Sequence, residues 1–186
     1  MSELPGGPAP TADALFDAAL AEEAAKKSGL LWVTPQGAAA VPRPVWHVWH
    51  DGAVHILVAT AAGGLEQYVP GLVEASRAEV TVRSKDKGGR LVVWAAAVVV
   101  LAADAPGWPD AAAALHGERL NAHDGEHAPE RWARDCVIVR LGPPEAITHG
   151  PNLPDGGHAA TPPPTPATTR GPLPRNFSLG RRLRGR

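Results

Sequence analysis

Two observations predict a mainly β domain with inserted helices, an α+β arrangement. β-branched and aromatic runs flank Asp51-Gly52, and a second pair of such runs flanks Lys85-Asp86-Lys87-Gly88-Gly89. Helical patterns precede the first pair and follow the second. The resulting order is helix, strand, hairpin, connection, long hairpin, helix, strand, with about six strands, mostly antiparallel.

Residues 1–10 are rich in Pro and Gly and read as a flexible N-terminus. Thr11 is the N-cap of a first helix, with Asp13 in its first turn and Lys26-Lys27 suiting its C-terminus before Gly29. Leu30 to Thr34 is a short strand. Val45 to His50 and Ala53 to Thr60 form a hairpin across Asp51-Gly52. A two-residue turn there sets Val45 opposite Val58, His47 opposite Ile56, Trp49 opposite Val54 and Arg43 opposite Thr60. Residues 61–77, with two glycine or proline-glycine breaks, form a loop containing a short helical turn. Glu79 to Arg83 and a long strand from Arg90 to about Leu101 make the second hairpin. Pro109-Asp110 starts a helix through Leu120, Pro129 starts a helical turn carrying Trp132, and Cys136 to Leu141 is the final strand. The domain so read spans 11–142, and 143–186 is a disordered Pro-rich tail with an Arg-rich end.

The 186 residues carry 18 Lys+Arg against 19 Asp+Glu, a net charge of −1 that hides an asymmetry. The last acid is Asp155, and the six later charges are all arginines, which leaves 12 basic against 19 acidic groups in the rest. An acidic body argues against specific nucleic-acid binding, and a short arginine tail gives weak, salt-sensitive attraction at most. The longest apolar run, Leu91 to Ala103, is too short for a membrane-spanning helix. No signal peptide is read at the N-terminus, and a single cysteine excludes a disulfide scaffold, so a cytoplasmic protein is expected.

The sharpest local signal is Arg83-Ser84-Lys85-Asp86-Lys87-Gly88-Gly89-Arg90. It joins four cations, a hydroxyl and free backbone N–H groups, a combination suited to phosphate. The plain alternative is a hairpin tip kept soluble by charge. His47 and His50 point to opposite strand faces, and His55 shares the face of His50 one residue pair away, which disfavours zinc. His47 reads as a partly buried histidine bonded to backbone or lining a pocket. Cys136 reads as a buried inert thiol, and Glu118-Arg119 and Arg131 to Asp135 read as helix-surface pairs. Nucleophile-elbow, P-loop and Rossmann glycine motifs are absent, which argues against hydrolase or nucleotidyl-transfer chemistry.

The element order, together with Arg43-Pro44-Val45-Trp46 and Thr60, resembles the FMN-binding split β-barrel family of pyridoxamine 5′-phosphate oxidase, over roughly 11–142. The resemblance implies a six-stranded antiparallel split β-barrel and a homodimer with FMN between subunits. It also implies an oxidoreductase acting on a small-molecule substrate, with no catalytic side chain comparable to a triad. The family usually shows a Ser-Arg-Lys cluster after the Thr. This chain has Ala61-Ala62-Gly63-Gly64, with no cation before Arg77. The expected cofactor contacts are Arg43, Val45 and Thr60 at the phosphate or ring edge, Trp46 and His47 along the ring, and Arg83, Ser84, Lys85, Lys87 and Arg90 on the phosphate. The missing cluster leaves three further readings: a deazaflavin, a haem with His47 or His55 as axial ligand, or a non-catalytic binding module without cofactor.

Overall fold

The computed structural model describes residues 11–37, 40–84, 89–119 and 124–151. Contacts divide the chain into Met1–Pro154 and Asp155–Arg186, and the second unit lies outside the described residues. Lys85, Lys87 and the arginine-rich end also lie outside them.

Helix α1 (Ala12–Lys27) starts where Thr11 accepts the Ala14 N–H at 3.3 Å, and it buries the small side chains of Ala21 and Ala25. The strands are β1 (Leu31–Pro35), β2 (Arg43–Val45), β3 (Val48–His50), β4 (Ala53–Ala59), β5 (Arg77–Arg83), β6 (Arg90–Leu101), β7 (Cys136–Leu141) and β8 (Ala146–His149). Helices α2 (Trp108–Glu118) and α3 (Ala128–Asp135) lie between β6 and β7. All the pairings are antiparallel, in the order β2-β1-β5-β6-β7-β4-β3, with β8 also on β6.

The twelve-residue β6 joins two half-sheets. One edge pairs with β5, and the other takes β8 at Val93 to Ala95 and β7 at Val98 to Leu101. Inward residues of both halves, among them Leu31, Val33, Ile56, Val80, Trp94 and Val139, form one core. On the opposite face of β4 and β7, Leu57 and Ile138 pack under α2 and α3 with Leu115 and Trp132. Two-sided burial explains why all seven residues of β4 are buried.

Eight strands replace the expected six for two reasons. β8 lies in the segment read as tail, and the run 45–50 is broken. The Asp51-Gly52 turn has the expected positive φ values, 46° and 67°, and the expected register holds for Val48, Trp49 and His50. It then stops. Val45 turns away to pair with Leu31 on β1, where both are buried, and Arg43 opposes Val33 instead of Thr60. The expected pairs of Val45 with Val58 and His47 with Ile56 are therefore not formed. Pro44, which has no N–H to donate, sits on this exposed edge strand.

The two ends of the sheet, β2 and β3, are thus separated in sequence by Trp46 and His47 alone. Among the described residues no strand closes this seam. The Gln67 side chain does so instead, accepting the Trp46 N–H at 2.8 Å and donating to the Trp46 carbonyl at 2.7 Å. The Gln67 carbonyl also accepts the Ala59 N–H at 2.9 Å. Gln67→Ala would leave both Trp46 backbone groups unpartnered in a part-buried place. It should lower stability by about 1–3 kcal/mol in urea unfolding, with faster amide exchange at Trp46.

Candidate cofactor site

Of the ten residues expected around one cofactor, the eight that are described fall in separate places. Val45 is 1 % exposed and belongs to the core. Arg43 is exposed on β2. Thr60 is exposed, and both its hydroxyl (3.0 Å) and its N–H (3.1 Å) bond the Asp135 carbonyl. The expected contact of Arg43 with Thr60 is therefore replaced by ties from Thr60 to the end of α3.

Trp46 and His47 do share a cavity, of about 470 Å³, with Lys26, Trp49 and Glu118. The Trp46 ring lies under the Arg119 guanidinium, 5.2 Å from its carbon. His47 is buried, with Nε2 3.0 Å from the Ala25 carbonyl and no hydrogen-bond partner for Nδ1. Burial lowers its pKa, against the opposing pull of the Ala25 carbonyl. Its one bonded nitrogen therefore serves the end of α1.

At the mouth of the β5–β6 hairpin, Arg83 pairs directly with Arg90, and Leu91 is left unpaired as a bulge. The Ser84 N–H closes the mouth on the Gly89 carbonyl at 2.8 Å. Both arginines are exposed, and neither pairs with a carboxylate among the described residues. The Arg83 guanidinium carbon lies 4.2 Å from the ring centre of Trp32 on β1.

A buried charge cluster escaped the sequence reading. Glu66, in the loop after β4, accepts from both terminal nitrogens of Arg131 at 3.1 Å and from the Trp132 indole at 3.0 Å. Its other oxygen lies 2.7 Å from Arg119, an ion pair aligned too poorly for a hydrogen bond. Arg131 also holds Asp124 at 2.8 and 2.9 Å. Arg119 and Arg131 are thus not surface helix pairs. Their partner is 53 to 65 positions away, so no local spacing announces it. Cys136 beside this cluster is buried and its thiol is pushed up to about 11, chiefly by burial, as expected of an inert thiol.

The fold is shared with solved structures. Rv2991, a conserved hypothetical protein of Mycobacterium tuberculosis, superposes with a TM-score of 0.51 at 10 % identity, over 69 % of this chain and 81 % of that one. HutZ, the haem storage protein of Vibrio cholerae, gives 0.48 at 14 %, over 68 % and 89 %. A Clostridium acetobutylicum protein related to general stress protein 26, of the pyridoxinephosphate oxidase family, gives 0.45 at 14 %, over 70 % and 85 %. With Rv2991 the chain shares its overall fold. No family model matches this chain, and no curated protein does. At these identities the likeness concerns the fold alone. No described helix of the barrel is long and apolar enough to cross a membrane, and no three described His, Cys, Asp or Glu side chains group around a metal position.

Two stability predictions follow from the buried polar groups. Glu66→Ala takes the carboxylate from Arg119 and the acceptor from the Trp132 indole N–H and leaves Arg131 with Asp124, so thermal and urea unfolding should show a loss of about 3–5 kcal/mol. His55 is 3 % exposed, and its pKa falls from 6.5 to about 4, first through burial and then through His50 and Arg140, against Ala53 and Asp51. Between these values the unfolded chain binds a proton that the folded chain does not, so stability declines as pH falls from 6.5 toward 4. Urea midpoints should record a loss on the order of 3 kcal/mol, and His55→Gln should flatten that slope.

Proposed function

We propose that this split barrel binds a flavin mononucleotide and holds its phosphate at the mouth of the β5–β6 hairpin, not after Thr60. The supporting observation is the direct pairing of Arg83 with Arg90. Like charges in opposed strand positions repel, and a phosphate between them converts that repulsion into two charge-assisted contacts. Lys85 and Lys87 belong to the same turn in sequence and add to its charge. The ring-side residues fit less fully, because Val45 is core, Thr60 bonds Asp135, and Nε2 of His47 bonds Ala25. Trp46 remains beside a cavity with room for an aromatic edge.

FMN, when bound, supplies hydride or electron transfer, which makes an oxidoreductase the activity this reading favours. The chain's own share is binding and orientation. Arg83, braced on Trp32, presents guanidinium donors at a set position, and Arg90 meets the same anion from the neighbouring strand. A homodimer enclosing the flavin belongs to the same proposal, supported by Val99 and Val100 of β6, which are 44 % and 36 % exposed.

The test is spectroscopic. Purified protein, alone and after addition of FMN, a deazaflavin or haem, should quench FMN fluorescence saturably. Arg83→Ala with Arg90→Ala should weaken that binding about tenfold or more. Uptake of none of the three overturns the cofactor reading, and unchanged FMN affinity in the double variant moves the phosphate elsewhere.

A further inference from the structure

A second cavity, of about 770 Å³, lies on the outer face of the β3–β4–β7 half-sheet, beside the start of α2. His50, His55 and Arg140 line it from the strands, and Leu101, Pro106 and Ala113 give it apolar walls. None of these residues belongs to the hairpin mouth proposed above for the flavin phosphate.

Three features of this cavity are incomplete without a ligand. His55 is 3 % exposed, yet its Nδ1 has no hydrogen-bond partner. A buried polar atom left this way is costly, and native structures usually satisfy it. Arg140 is the direct register partner of His55 across β4 and β7, so the two side chains share a face. It makes one long contact, 3.4 Å to the Asp51 carbonyl, and pairs with no carboxylate among the described residues. Helix α2 begins at Gly107, on the cavity wall, with no side-chain cap for its first N–H groups.

The sign of the site follows from these groups. The His50 ring centre lies 5.6 Å from that of His55, which adds a second imidazole to the guanidinium and the helix start. Two carboxylates, Asp51 and Asp110, also line the cavity, but both are exposed and solvated, whereas Arg140 is half-buried. The groups turned inward are therefore donors.

We propose that this cavity binds a small organic anion, with its carboxylate or phosphate on Arg140 and His55 and its apolar body against Leu101, Pro106 and Ala113. An anion there gives the guanidinium its missing partner and the buried imidazole a hydrogen-bond acceptor. The apolar walls distinguish an organic acid from an inorganic ion.

The full chain, isotopically labelled, should be titrated by NMR with benzoate, phenyl phosphate, inorganic phosphate and the neutral benzyl alcohol. Saturable shifts at His50, His55, Arg140 and the first turn of α2, with benzoate or phenyl phosphate, support the site. The tighter of the two assigns the head group. Arg140→Gln should raise Kd about tenfold or more, and Arg77→Ala, on the other half-sheet, should leave it unchanged. Binding of benzyl alcohol as tight as that of the anions overturns the proposal, as does an Arg140→Gln affinity within about twofold of the parent. Shifts at His50 and His55 with Zn²⁺ but with neither organic anion overturn it as well, and make the two imidazoles a metal-binding pair.

Discussion

The barrel depends on one side-chain amide. A sheet that curls until its two ends meet must close the gap with backbone pairing or leave polar groups unsatisfied. Here the meeting ends are β2 and β3, and Gln67 supplies a donor and an acceptor to the two peptide groups that flank Trp46. A side-chain amide carries the same two functions as a backbone peptide, so it replaces one rung of a ladder without a strand. Its own backbone is tied to Ala59, which couples the seam to the fully buried β4.

The neighbouring residue does comparable work outside the barrel. Glu66 gathers Arg119 from the end of α2 and Arg131 and Trp132 from α3. Burying a carboxylate is unfavourable unless it is paired, and this one has Oε1 hydrogen-bonded to Arg131 and the Trp132 indole and Oε2 in an ion pair with Arg119. Residues 66 and 67 therefore anchor the connection after β4 from both sides, and Thr60 anchors its start on Asp135. A segment held in this way is structural. The small residues Ala61-Ala62-Gly63-Gly64 fit that role, and phosphate-binding cations are not needed there for the connection to be held.

Much of the fold was legible because its signals are local. Thr11 as N-cap, the Asp51-Gly52 turn, the length of β6 and the inert Cys136 each rest on a few adjacent residues. The errors share one cause. A hairpin register carries information only while both strands continue, and Val45 leaves the ladder to pair with Leu31, where both are buried. Nothing local marks that switch, since Gln67 is 21 positions from the peptide it satisfies. β8 was missed for a related reason. It lies in a Pro-rich segment and gains its strand character from the exposed edge of β6, not from its own composition.

Placing Arg83 opposite Arg90 sacrifices stability for proximity of charge. In a sheet, opposed positions hold side chains within interaction distance, and two cations there repel. Exposure and salt reduce this cost without changing its sign. The Trp32 ring offsets part of it for Arg83, because a flat cation over an indole face is stabilised by the ring's quadrupole. A solubilising tip would gain the same hydration from lysines spread along the turn, without register pairing or an aromatic brace. Register, bulge and brace together set two arginines on opposed strand positions, and the proposed phosphate site rests on that pairing.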